Sequence, residues 1–145
     1  MQVRHILHGK GRDVMAITSG ATLCDAAKLL TEKRIGALVV KDESGRLTGI
    51  ISERDLVRAI AEGGAAAMSD KVGDHMTLEP ETCTEADTVE SVMEVMTRGR
   101  FRHVPVLDEG MQLCGMISIG DVVKHRIEAI EREAEEMKSY IASSG

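Results

Sequence analysis

Gly49-Ile50-Ile51-Ser52-Glu53-Arg54-Asp55 returns 66 residues later as Gly115-Met116-Ile117-Ser118-Ile119-Gly120-Asp121. In both stretches a glycine-led apolar run ends on serine, and an aspartate follows one helical turn on. Sliding the whole sequence by the same 66 positions overlays 18–60 on 84–126 without a gap. Of those 43 pairs, 13 are identical, against about three expected by chance. The identities include Thr22/Thr88, Asp42/Asp108, Gly49/Gly115, Ser52/Ser118 and Asp55/Asp121, positions where backbone chemistry is demanding. Two copies are too few for a solenoid, so the repeat predicts a pseudo-symmetric pair with a groove between its halves.

Each copy reads as a short extended lead followed by helix, strand, strand and helix, an α+β pattern of two small mixed sheets with two helices each about a pseudo-twofold axis. In the first copy, residues 15–17 are the extended lead. Thr22 then opens a helix with Asp25 as its capping-box partner. Leu23, Ala26, Ala27 and Leu30 supply its apolar stripe, and Val89, Val92, Met93 and Met96 repeat it behind Thr88. Strands are predicted at 35–40 and 47–51, joined by Asp42-Glu43-Ser44-Gly45, and a second helix runs from Ser52 to Gly63-Gly64. The second copy gives strands at 102–107 and 113–118 and a helix from Gly120. Residues 65–81 link the copies, with a short helix expected at 70–75 capped by Ser69. The division expected is 1–66 for an N-terminal lead with the first repeat, 67–130 for the second repeat, and 131–145 for a helical extension.

That extension carries Ile127, Ile130, Ala134, Met137 and Ile141 on one stripe amid glutamates. Two readings are open: the stripe packs on its own module, or it makes a dimer contact. The helices leading from Asp55 and Asp121 point to a homodimer as well. They carry Leu56, Val57 and Ile60, or Val122, Val123 and Ile127, beyond what a three-stranded sheet covers.

Composition sets the outer limits. Hydrophobic content of 43% and charged content of 29% are those of a globular protein, and no apolar run is long enough to span a membrane. Residues 1–15 lack the apolar core of a signal peptide, and three widely spaced cysteines suit reduced thiols, so a cytoplasmic location is expected. The net charge is −6, with one Phe, one Tyr and no Trp. Such a chain lacks the basic field and stacking platforms of a nucleic-acid binder.

The chemistry concentrates where strand meets helix. Glycine lets another segment or a ligand approach the strand. Serine starts the helix, where free amides and the macrodipole favour an anion such as phosphate. Aspartate one turn in can accept hydrogen bonds from both hydroxyls of a ribose. The same Ser-x-x-Asp is also an ordinary capping box, which needs no ligand.

Gly-hydrophobic-hydrophobic-Ser-x-x-Asp closing each half, with Phe101-Arg102-His103-Val104-Pro105-Val106 in the second, resembles a tandem pair of cystathionine-β-synthase (CBS) domains. The start of the chain, with Lys10-Gly11-Arg12, and Ile50–Asp55 resemble the small stand-alone bacterial CBS-pair proteins in particular. The resemblance implies a non-catalytic regulatory module, often dimeric, whose cleft binds an adenosine ligand. AMP or NAD is the expected ligand, ATP and ADP fit, and S-adenosylmethionine fits less well. It implies that the motif aspartate holds ribose and the serine helps with phosphate: Ser52, Arg54 and Asp55 at one site, Ser118, Gly120 and Asp121 at the other. Ala16 and Cys83 on the leads, with Ala37 and Pro105 on the following strands, would flank the base. Arg102 and His103 would reach phosphate on a ligand whose ribose the opposite copy holds. The first copy has Gly36-Ala37 where the second has Arg102-His103. The two clefts are therefore expected to be unequal, the first binding weakly or only lining the other.

Other motifs carry less. His5 and His8 share a helix face but no third ligand stands at metal-site spacing, so no metal is expected. Gly9-Lys10-Gly11-Arg12 lacks the P-loop frame, though Lys10 or Arg12 could reach a bound phosphate. Cys83 has no base beside it. No nucleophile–base pair is legible, so an enzyme is not expected; the remaining alternative is an adaptor dimer with empty clefts. An effector protein is expected to read the signal, since 1–145 shows no effector domain of its own beside the repeats.

Overall fold

In the computed structural model, which describes residues 1–144, the element order carries the repeat. Helix α1 (Val3–Lys10) leads into β1 (Ala16–Ile17), α2 (Leu23–Lys33), β2 (Ala37–Lys41), β3 (Leu47–Ser52) and α3 (Glu53–Gly63). The second half runs β4 (Thr77–Leu78), β5 (Cys83–Thr84), α4 (Val89–Gly99), β6 (His103–Leu107), β7 (Leu113–Ser118) and α5 (Ile119–Ser144).

The repeated identities explain themselves as backbone chemistry. Thr22 Oγ1 accepts from the Asp25 amide at 3.1 Å and the Asp25 carboxylate accepts from the Thr22 amide at 3.0 Å, closing the expected capping box. Thr88 caps α4 by accepting from the Ser91 amide at 3.0 Å. Both helices end on a left-handed arginine, Arg34 at φ 54° and Arg100 at φ 57°. That cap occupies two further residues, so β2 begins at Ala37 rather than at Ile35. Asp42 and Asp108 each accept two downstream amides, folding the hairpin turns. The strand registers then match, Ala37 opposite Ser52 and His103 opposite Ser118, with an irregularity at Val40/Lys41 and again at Val106/Leu107.

The leads cross over between halves, which the sequence division at 66/67 did not anticipate. Helix α1 packs on the second half: Val3, Ile6 and Leu7 share a core with Val89, Val92, Val104, Val106, Ile117 and Val122. Its Val3 amide donates to Asp87 O at 2.9 Å. The linking segment does the same for the first half, where the Val72 amide donates to Ala21 O at 2.8 Å and Ala67 and Val72 enter the core of Leu23, Leu30, Leu38 and Ile51. The short helix expected at 70–75 behind Ser69 is reduced to a single 3-10 turn, Val72–Asp74, whose N-cap is Lys71 rather than Ser69. It starts no earlier because the Val72 and Gly73 amides dock on Ala21 O and Ser19 O of the first half, while a separate 3-10 turn, Gly64–Ser69, precedes it and strand β4 follows. The first sheet thus has four strands in the order β1-β2-β3-β4, and the second three, β5-β6-β7.

The motif glycines receive the crossing segments. A Cβ on Gly115 would stand 2.7 Å from Leu7 Cδ2, and one on Gly49 would stand 2.7 Å from Thr77 O and 2.8 Å from Met76 Sδ. It is another piece of the chain, not a ligand, that these glycines admit.

One expectation for the helix surfaces is revised, and one of the two open readings of the α5 stripe falls away. Leu56 and Val122 turn into their own cores, while Val57, Ile60, Val123 and Ile127 remain exposed. On α5, Ile130 and Met137 are 54% and 62% exposed, so the stripe does not pack on its own module.

Candidate functional site

The end of β3 delivers Ser52, and α3 delivers Asp55 one turn later. The Ser52 amide donates to Asp55 Oδ2 at 2.8 Å, and Ser52 Oγ donates to the same oxygen at 3.1 Å. The second copy repeats this: the Ser118 amide donates to Asp121 Oδ2 at 2.8 Å and the Asp121 amide to Ser118 Oγ at 3.1 Å. Both motifs therefore form capping boxes, one carboxylate oxygen in each committed to the helix. Each helix start is also tied to the residue just before the hairpin's first strand, Glu53 N to Gly36 O at 3.0 Å and Ile119 N to Arg102 O at 2.8 Å.

A cleft of about 580 Å³ opens between the halves. One wall is the start of α3, with Ser52, Arg54, Asp55 and Arg58; the other is the α4–β6 junction with Arg100, Phe101, Arg102 and His103, joined by Ser118 and Gly120. Arg54 bridges the walls, donating to Arg100 O at 3.3 Å. Asp55 is buried and pairs with Arg58 at 3.5 Å. Four arginines and a histidine line the cavity with Glu53, Asp55 and Glu81, and the positive groups gather on the Arg100–His103 wall, where an anion would find its partners. The cleft is large enough for a small-molecule ligand.

The missing Arg-His of the first copy has a structural use. A Cβ on Gly36 would stand 3.2 Å from His103 Cε1, so the bare glycine is the seat on which the His103 ring rests. Burial lowers the His103 pKa below its ordinary 6.5, and Lys10 lowers it further against the pull of Asp121 and Glu53. The imidazole is therefore mainly neutral at pH 7, ready to gain a proton beside an anion.

Asp121 meets a different neighbour. Lys10 Nζ donates to Asp121 Oδ2 at 2.6 Å and to Met116 O at 2.9 Å. Burial raises the Asp121 pKa, but Lys10 and the Ser118 amide outweigh it and leave the carboxyl below its ordinary 3.8. Arg12 pairs with Glu85. Both cations expected as phosphate contacts are thus engaged elsewhere.

Of the residues singled out from the sequence, the cleft gathers Ser52, Arg54, Asp55, Arg102, His103, Ser118 and Gly120. It does not gather Ala16, Ala37, Cys83, Pro105, Asp121, Lys10 or Arg12. Ala37, Cys83 and Pro105 are buried in their sheets, and burial pushes the Cys83 thiol up to about 12. Sequence reading missed Arg58 on α3 and Arg100 at the end of α4, which no motif singles out, and the rim residues Thr77, Pro80 and Glu81, since nothing in the repeat marks a segment that reaches the cleft only after the crossover. Among the described residues no three His, Cys, Asp or Glu side chains are grouped to hold a metal, and no helix is long and apolar enough to cross a membrane.

Known proteins share this architecture. The CBS domain family model matches residues 3–62 and 72–128. A CBS domain-containing protein of Agrobacterium tumefaciens is 46% identical, with a TM-score of 0.85 over 87% of this chain and 99% of its own. The mitochondrial CBS domain-containing protein CBSX3 of Arabidopsis thaliana is 38% identical over 96% of this chain and 71% of its own. Two more distant structures hold ligands. The CBS protein PAE2072 of Pyrobaculum aerophilum, complexed with AMP, is 27% identical at TM-score 0.75 over 83% of this chain and 89% of its own. The CBS domain pair of protein MJ0100, in complex with 5-methylthioadenosine and S-adenosyl-L-methionine, is 26% identical at TM-score 0.79 over 89% of this chain and 98% of its own.

Proposed function

This chain belongs to the CBS-domain family as a tandem pair, and from that premise we propose that it is a non-catalytic regulatory module sensing an adenine nucleotide. The observation that carries this reading is the cleft in which Ser52 and Asp55 of one half face Arg102 and His103 of the other. A ribose on Asp55 would leave its phosphate toward the Arg100–His103 wall. Relatives bind AMP or S-adenosylmethionine. The arginine field favours AMP, NAD, ADP or ATP here, because phosphate gains charge-assisted hydrogen bonds that a cationic sulfonium does not. In this reading the ligand takes the cleft containing Asp55, whose strength comes from the other copy's Arg102 and His103.

The module acts as a homodimer, a reading supported by the exposed Val57, Ile60, Val123 and Ile127 on α3 and α5. Free Cys24, Cys83 and Cys114 suit a reducing compartment such as the cytoplasm. Calorimetry with AMP, NAD and S-adenosylmethionine tests the ligand. AMP should bind, and Asp55→Asn should weaken it by about 1.5–3 kcal/mol, the worth of hydrogen bonds to a charged group. Absence of adenine-nucleotide binding below millimolar concentration overturns the assignment and leaves an adaptor dimer.

A further inference from the structure

Helix α5 has two faces with different neighbours. Val122, His125 and Ala129 are buried or half-buried against the rest of the chain, whereas Val123, Ile127, Ile130, Ala134 and Met137 are all exposed. The exposed set is spaced four, three, four and three residues apart, and Ile141 continues it. This is the a/d pattern of a coiled coil, with Ile127, Ala134 and Ile141 at a and Val123, Ile130 and Met137 at d. The CBS match stops at residue 128, so most of this face lies beyond the family fold.

The flanking charges choose a partner and its direction. Arg126 and Glu133 occupy g positions; Glu131 and Lys138 occupy e positions. All four are exposed, and none makes an ion pair among the described residues. In a parallel, in-register pair each g residue faces the e residue five positions later on the other helix. Arg126 then meets Glu131 of the second copy, and Glu133 meets its Lys138, each contact occurring twice by symmetry. An antiparallel pair with the same apolar layers would set Glu131 against Glu131, Glu133 against Glu133 and Lys124 against Lys138. Every one of those is a like-charge contact.

We propose that the α5 extension zips onto a second copy of this chain as a parallel, in-register two-stranded coiled coil. From Val123 to Ile141 the seam is about 28 Å long at 1.5 Å per residue. That is under three heptads, too short to pair stably alone. The proposal therefore rests on the homodimer reading above, in which the attached modules supply the remaining contact. It adds the direction and register of pairing, which the exposed apolar residues alone do not specify.

Sedimentation of the full chain, its Glu133→Lys variant and the Glu133→Lys/Lys138→Glu double variant tests this, with circular dichroism confirming that each is folded. The wild type should be a dimer of 15.7 kDa chains. Glu133→Lys should raise its Kd roughly tenfold, as two attractive pairs become repulsive, and the double variant should restore it. Ala134→Cys should give a disulfide-linked dimer on oxidation that the wild type does not. A wild-type dimer indifferent to Glu133→Lys, with no crosslink formed by the Ala134→Cys variant, overturns the coiled coil while leaving the homodimer standing. Loss without rescue by Lys138→Glu overturns the parallel register. A monomeric wild type overturns both readings, and a trimeric mass overturns the two-stranded state.

Discussion

Lys10 and Asp121, 111 positions apart in sequence, are joined by a 2.6 Å hydrogen-bonded ion pair. The lysine comes from the helix that precedes the first repeat, and the aspartate from the motif that closes the second. The pair pins α1 to the start of α5, and with it the N-terminal crossover on which the second core depends.

Lys10→Met should therefore lower stability by about 1 kcal/mol at pH 7, the upper end for a pair whose lysine is partly open to water. Asp121 is held below its ordinary 3.8 in the fold. Its contribution is accordingly present above that value and is lost as pH falls through the lower folded value. The gap between thermal melts of wild type and variant should narrow as pH falls into the acid range, down to what the Lys10 bond to Met116 O contributes; a gap that stays constant with pH would show that the ion pair contributes nothing.

Arg102 should separate phosphate from nucleoside. AMP is expected to bind at least about tenfold more tightly than adenosine, a difference of about 1.4 kcal/mol, and Arg102→Gln should erase most of that preference while leaving adenosine binding nearly unchanged. Calorimetry on both ligands reads this directly, and equal loss for both would place Arg102 away from the phosphate.

His103 should take up a proton when a phosphate ligand arrives. Burial and Lys10 keep it neutral near pH 7, and an adjacent anion favours the charged form. AMP affinity should then rise as pH falls from 8 toward 6. The apparent binding enthalpy should vary with the ionisation enthalpy of the buffer. His103→Gln should abolish both effects; buffer-independent heats in the wild type would refute the prediction.

Gly49→Ala should cost more than Gly115→Ala. The added methyl at 49 meets the Thr77 carbonyl, which the β3–β4 pairing holds in place, while at 115 it meets only the end of the Leu7 side chain. Overpacking of about 1–3 kcal/mol is expected at Gly49 and less at Gly115. Urea denaturation of the two variants gives the order.

Much of the architecture was legible because local chemistry repeats locally. Thr22 with Asp25, the Asp42 and Asp108 turns, and the Ser-x-x-Asp caps each act within a few residues. Their recurrence at a shift of 66 announced two copies of one unit, and the Gly-led strands with Arg102-His103 pointed to the CBS family. The short helix expected within the linker came out as a single 3-10 turn because residues 65–81 dock through backbone groups on Ala21 and through side chains such as Val72, and neither partner is near in sequence.

The repeating unit, its copy number and the residue types at each strand–helix junction all follow from the order of amino acids alone. Which junction is open follows only from how the halves pack. The crossover carries Lys10 onto Asp121, and the seat at Gly36 brings His103 over the first half, leaving Asp55 to share a cleft with Arg102 and Arg100. The reason is physical: a capping box is satisfied by neighbours three residues away, whereas a site's charge balance depends on groups that only the packed halves bring together.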